Sequence, residues 1–260
     1  MNLMNNLYKK IAIGAALRSG LFIKNSVGKI GKISYKGRIN IVTDIDKKSE
    51  DMIIRSIRRA FGDHSILSEE SRPRKGSSEY KWVIDPIDGT TNFAHSFPFY
   101  CVSIALEESG KSILGVVYDP MREELFVAEN GKGAYLNKSR ISVSKARKLS
   151  RGFLATGFSY QIKNAEDNNV CHFENFLMKA MAIRRAGSAA LDLCYVACGR
   201  FDGFWELDLK PWDSAAGSLI VQEAGGILTR FDGSKFSPYV GETLATNGLI
   251  HSQMVKVLSK

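Results

Sequence analysis

The sequence predicts an α/β (or α+β) protein of two sheets with helices outside and between them, not one barrel. Three observations carry this reading. The first half reads as helices followed by a meander of strands, and the second half alternates strand and helix. The 260 residues, 44% hydrophobic and 24% charged, are enough for a sizeable core. A single domain over 1–260 is expected, in approximate halves 1–150 and 151–260, because no repeat and no Pro-, Gly- or Ser-rich linker divides the chain.

The elements follow in order. A helix near 3–25 places Tyr8, Ile11, Ala15 and Phe22 roughly on one face. An extended segment then ends in Ile41-Val42-Thr43-Asp44. A second helix runs from about Lys47 to Phe61, with Met52, Ile53, Ile57 and Phe61 as its apolar stripe and Gly62 as its stop. Strands are expected at about 64–68 and 81–85, then a long hairpin from Phe99 to Tyr118 turning at Glu108 to Lys111. Short strands continue through Phe126, Tyr135 and Val143. The second half predicts strands at Phe153–Thr156, Phe201–Leu207 and Gly226–Thr229. Its helices fall at about 166–182, Ser188–Cys198, Trp212–Ala224 and 248–259.

Charge narrows the function classes. With 36 Lys+Arg against 27 Asp+Glu, the net charge is +9. That surplus admits a phosphorylated substrate, nucleic acid or a membrane surface without selecting one. The 23 Gly and 6 Pro exclude collagen-like and low-complexity chains. Ile11 to Leu17 is apolar but bracketed by Lys9, Lys10 and Arg18, far short of the ~20 residues of a membrane span. No small-residue cleavage site follows it, so a cytoplasmic protein with no membrane partner is expected. Cys101, Cys171, Cys194 and Cys198 show no metal-binding spacing and read as buried, reduced thiols.

The chemistry gathers in Trp82-Val83-Ile84-Asp85-Pro86-Ile87-Asp88-Gly89-Thr90-Thr91-Asn92-Phe93. A run of strand formers ends in Asp85, and Pro86 argues against its extension as a paired central strand. Asp88 lies three residues on, beside a glycine and two hydroxyls that look like a helix opening. Two carboxylates on one turn, followed by helix N–H groups, suit a metal and a phosphate together. The same pattern is also ordinary turn and capping chemistry. Glu69-Glu70, Asp44 and Asp213 likewise stand at element ends, where open α/β sheets collect ligands. Gathered together, these acids would repel one another without hard divalent cations.

These residues make the chain resemble the inositol monophosphatase family of magnesium-dependent, lithium-sensitive phosphatases. The likeness rests on Ser68-Glu69-Glu70-Ser71, on Trp82 to Phe93, and on Trp212-Asp213-Ser214-Ala215-Ala216-Gly217 with Glu223-Ala224-Gly225-Gly226. It runs from Thr43-Asp44 to Thr246-Asn247. The resemblance implies a layered α-β-α-β-α sandwich of the sugar phosphatase type, a homodimer, and two or three Mg²⁺. Glu70, Asp85 and the Ile87 carbonyl match the ligands of one metal; Asp85, Asp88 and Asp213 match those of a second. Gly89 and Thr90 match the phosphate cradle, and Thr90 with Asp44 the pair that orients the attacking water. Asp88 matches the position serving the leaving alcohol. Glu206, Ala189 and Ser159, with Asp213, fall where the family contacts substrate. Ser68 replaces a frequent glycine, and Lys32 to Ile39 corresponds to a metal-sensitive loop.

The implied activity is hydrolysis of inositol monophosphate by metal-activated water, in line and without a covalent intermediate. Two alternatives stand beside it. One is a phosphatase for another polyol or sugar phosphate, such as fructose bisphosphate or glycerol phosphate. The other is a binding role with RNA or the transcription machinery, suggested by Arg55, Arg58 and Arg59, by Arg72-Pro73-Arg74-Lys75, and by the Lys138 to Arg151 stretch.

Overall fold

The computed structural model describes residues 2–29, 33–36, 40–159, 162 and 168–259. Helix α1 (Asn2–Ser26) and helix α2 (Asp44–Ala60) flank a short hairpin of β1 (Ile33–Lys36) and β2 (Asn40–Thr43). A mixed sheet follows, from β3 (Ser65–Ser68), β4 (Tyr80–Asp88), β5 (Cys101–Glu108) and β6 (Lys111–Asp119) through β7 (Glu124–Glu129), β8 (Ala134–Leu136) and β9 (Ser139–Arg140). Its strands lie in chain order, parallel at β3–β4 and antiparallel elsewhere. The five-residue helix α3 (Thr90–Ala94) leaves the end of β4.

The second sheet has the order β11-β10-β12-β14-β13, from β10 (Phe153–Thr156), β11 (Ala182–Arg184), β12 (Gly203–Glu206), β13 (Ile227–Thr229) and β14 (Thr243–Thr246). Helices α4 (Val170–Leu177), α5 (Ala189–Ala197), α6 (Pro211–Glu223) and α7 (His251–Leu258) complete the chain.

Three apolar clusters define the layers. Tyr8, Ala12, Ala15 and Ile23 of α1, with Ile53 and Ile57 of α2, pack on Trp82, Ile84, Ile104 and Val116 of the first sheet. Leu191, Leu193 and Val196 of α5, with Leu219 and Ile220 of α6, fill the space between the sheets against Val117, Phe126 and Phe204. Phe176 of α4 and Met254 and Val257 of α7 cover Leu154, Trp205 and Leu244 on the outer side of the second sheet. The result is the α-β-α-β-α sandwich expected. Both central helices are apolar nearly all round, as burial between two sheets demands.

Several boundaries differ, each for a physical reason. α2 begins at Asp44, not near Lys47, because Thr43 caps it: its Oγ accepts the Ile45 and Asp46 N–H groups, and Asp46 returns a bond to the Thr43 N–H. Strand β4 continues through Pro86 to Asp88, with its pairing to β5 shifted between Asp85 and Asp88. A bulge is where a strand tolerates a residue with no N–H. α4 spans Val170–Leu177, since the chain must return as β11, where Gly152 O accepts the Met181 and Ala182 N–H groups. Val143 lies outside any strand, and β14 was not anticipated. Lys32, 37–39, Tyr160 and 166–167, on which expectations were placed, lie outside the described residues.

All four cysteines are free; Cys101 and Cys194 are buried as expected, but Cys171 is exposed. Among the described residues no helix is long and apolar enough to cross a membrane.

Candidate active site

Three elements bring four acids to the end of β4. β4 supplies Asp85, which is 2% exposed and whose Oδ1 accepts the Ile87 N–H at 3.0 Å. The chain then turns through Asp88 and Gly89. Gly89 has φ +99°, and a Cβ there would lie 3.0 Å from the Phe99 carbonyl, so only glycine fits this turn. α6 supplies Asp213 from its first turn, after Pro211, with Oδ2 accepting the Lys210 N–H at 2.7 Å. Carboxylate oxygens of Asp85, Asp88 and Asp213 all lie within 4.8 Å of one another.

The fourth acid is Glu69. Parallel pairing of β3 with β4 ends at Ser68 opposite Ile84, and the Glu69 N–H reaches the Ile84 carbonyl at 3.3 Å. One step further puts Glu69 beside Asp85. Accordingly the Asp85 carboxyl is held well above the usual carboxylate range by burial first, and then by the charges of Glu69, Asp88, Asp213 and Asp46. Burial, Asp88 and Glu69 raise Asp213 as well. Glu70, the acid the resemblance matched, is not among these causes; its N–H donates at 2.8 Å to Glu50, a buried carboxylate one turn beyond Asp46 on α2. Glu50 also takes the Ser68 hydroxyl, so α2 clamps this loop from below. Register therefore turns Glu69, not Glu70, toward the cluster.

Asp88 is divided between two tasks. Its Oδ2 accepts the Ser188 hydroxyl at 2.6 Å and the Ala190 N–H at 2.7 Å, at the N-terminus of α5. The Cys101 thiol approaches the same oxygen at 3.9 Å. These donors oppose the burial that pushes Asp88 up to about 6. Asp88 thus ties the helix layer to the turn and leaves its other oxygen for the cluster.

Thr90, in the first turn of α3, lies with its Oγ 2.9 Å from Asp46 Oδ1 and 3.0 Å from the Ile87 carbonyl. Asp46 is fully buried, and its other oxygen takes the Thr43 N–H and hydroxyl. Burial raises its carboxyl and the hydrogen bonds oppose that. The hydrogen-bond partner of Thr90 is Asp46 and not the expected Asp44, whose Oδ2 pairs with Lys48, one turn on, at 2.8 Å. The buried side chains of α2 are Ile45, Asp46, Ser49, Glu50, Ile53, Ile54 and Ile57, so a helix beginning at Asp44 turns Asp46 inward.

Glu206 ends β12 and faces the cluster from the second sheet. A Cβ on Gly157 would lie 2.2 Å from either of its carboxyl oxygens, so Gly157 makes room for it. Burial first, then the charge of Asp88, pushes Glu206 up to about 8, while Arg185 pulls the other way. Ala189 begins α5 and joins the donors to Asp88. Ser159 donates its hydroxyl to Asp208 at 2.7 Å.

A set of buried carboxylates that cannot all be ionised together, offering only oxygen, is the donor chemistry a hard divalent cation needs. Asp46 was missed in the sequence, and Glu69 was named there as an acid at a strand end but not matched to a ligand; the capping pattern Thr43-x-x-Asp46 signals the first. Only the strand register signals the second.

A buried acid cluster at the end of a strand, opposite a Thr–Asp pair, between two sheets covered by helices, forms a site that could hold a divalent cation. The sequence model of the inositol monophosphatase family matches residues 4–260, and the chain belongs to that family. It is 45% identical over 252 residues to the inositol-1-monophosphatase of Synechocystis, covering 96% of this chain and 88% of that one. It is 44% identical over 248 residues to the Nus factor SuhB of Escherichia coli, covering 94% of this chain and 93% of that one. The inositol monophosphatase structure from Anabaena superposes with a TM-score of 0.90 at 42% identity, covering 100% of this chain and 97% of that one. This kinship supports phosphatase activity.

Proposed function

We propose that the chain hydrolyses inositol monophosphate to inositol and phosphate, with Mg²⁺ as its cofactor. The observation that carries the reading is the juxtaposition of Asp85, Asp88 and Asp213 with the Thr90–Asp46 pair across one turn. Mg²⁺ among Glu69, Asp85, Asp88, Asp213 and the Ile87 carbonyl would neutralise phosphoryl charge and lower the pKa of water. The protein's own part is orientation and proton movement. Thr90 Oγ accepts a proton from the attacking water as its own proton passes to Asp46 Oδ1, 2.9 Å away. The departing alcohol takes a proton from a water held at Asp88. Glu206, set back from the phosphate behind Gly157, accepts hydrogen bonds from hydroxyls of the alcohol. We read the protein as a cytoplasmic homodimer.

The test is a phosphate-release screen over inositol, glycerol, fructose and other sugar phosphates, with Mg²⁺ and with or without lithium. Inositol monophosphate turnover that needs Mg²⁺ and falls with lithium supports the reading; metal-independent, lithium-insensitive turnover ends it. A second reading, association with the transcription machinery, is favoured by the Nus factor name of the Escherichia coli relative. Co-purification with RNA polymerase from the native host tests that.

A further inference from the structure

On the outer face of α2, away from Asp46 and Glu50, Asp51, Ile54, Arg55, Arg58 and Arg59 line a cleft of about 430 Å³ together with Arg74. Positions 51, 55, 58 and 59 fall on one side of the helix by its 3.6-residue period. Arg74 comes from the chain between β3 and β4 and is fixed by a reciprocal pair of 2.8 Å backbone bonds with Ile66. Ile54 is a buried apolar floor, and Arg55 is neutralised by Asp51, Nη2 to Oδ2 at 2.6 Å. Arg58, Arg59 and Arg74 are exposed and form no ion pair among the described residues.

Three uncompensated guanidinium groups facing one cleft repel one another, and a bound anion is the natural compensation. Their planar forks match phosphate oxygens two at a time. The volume falls in the range of small-ligand sites. No aromatic residue lines the cleft, so it has no platform on which a nucleotide base could stack. We propose that this cleft is a second anion site, separate from the catalytic acids, that binds a small ligand carrying two or three clustered phosphates. Its recognition comes from phosphate charge and spacing, with the rest of the ligand left in solvent.

Titration calorimetry with sodium tripolyphosphate tests it, using the full chain freed of divalent ions by EDTA at about 0.15 M ionic strength. Under those conditions the catalytic acids repel anions, and the heat reports the arginine cleft. One-site binding is expected, weakened about tenfold by each of Arg58→Gln and Arg74→Gln. The melting temperature without ligand and the Mg²⁺-dependent phosphatase activity of both variants should match the parent. No binding, or binding that both variants keep, overturns the site. A single-stranded RNA that displaces tripolyphosphate at far lower concentration, through the same arginines, overturns the small-ligand assignment.

Discussion

Strand β4 carries two buried polar clusters of opposite kind, one near each end. Near its start, Trp82 lies in an aromatic box with Tyr8, Phe61, His64 and Tyr80, ring centroids about 5 to 6 Å apart. The Trp82 Nε1–H donates to His64 Nδ1 at 3.0 Å, and the Tyr80 hydroxyl donates to Glu108 at 2.6 Å. Those polar atoms are satisfied within the protein, so that end contributes stability. At the other end, Asp85, Asp88 and Asp213 crowd within 4.8 Å of one another, a charge arrangement the protein alone does not balance. One strand supplies the anchorage and the strain, and the anchorage is what lets acids be held where they repel.

Breaking each end separately should give opposite results. Asp85→Asn removes the shared acid and should abolish Mg²⁺-dependent phosphate release. It should leave the melting temperature of the metal-free protein unchanged or higher, because repulsion from Glu69, Asp88 and Asp213 eases. A marked loss of thermal stability would mean that Asp85 is a structural residue. Trp82→Ala should do the reverse: about 3–5 kcal/mol of stability lost by urea titration, with catalysis per folded molecule preserved. Strong loss of activity at full folding would contradict the division.

Glu206→Gln sharpens the comparison from the substrate side. It should raise KM for inositol monophosphate about tenfold, the value of one hydrogen bond made by a buried group, and leave kcat for an aryl phosphate nearly intact. Equal losses for both substrates would put Glu206 in the proton-transfer machinery.

The smallest effect concerns pH. Burial holds the His64 imidazole below its ordinary value, and as a neutral ring it accepts the Trp82 N–H. The unfolded chain therefore binds a proton first as pH falls. His64 contributes fully above about pH 6.5, and its share is lost as pH drops through the lower folded value. Urea midpoints should decline below that pH in the parent and decline less in His64→Gln. Parallel declines would remove His64 from the account.

The two ends were not equally legible in the sequence. The β4 motif stands out because strand formers, Pro86 and two acids are consecutive, and the β5–β6 hairpin because its alternation is long. Local capping chemistry at Thr43 contained the information that Asp46, two residues past Asp44, faces inward; a helix start misplaced by three residues hid it. The choice of Glu69 over Glu70 depends on the β3–β4 register, which no local pattern encodes. β11 and β14, of three and four residues, are too short to show a period. Arg74 is held beside α2 by its bridge to Ile66 on β3, a pairing that no local sequence pattern announces.

The most direct test of the central claim is a mutant cycle on Thr90 and Asp46, with Asp44→Asn as its control, read by kcat on inositol monophosphate. Thr90→Ala and Asp46→Asn should each lower kcat by about two orders of magnitude. The double variant should be little worse than either single one, because Oγ and Oδ1 act as a unit 2.9 Å apart. Asp44→Asn, which weakens the pair with Lys48 and leaves Thr90 and Asp46 in place, should turn over like the parent. An active Asp46→Asn enzyme beside a dead Asp44→Asn enzyme would contradict the account.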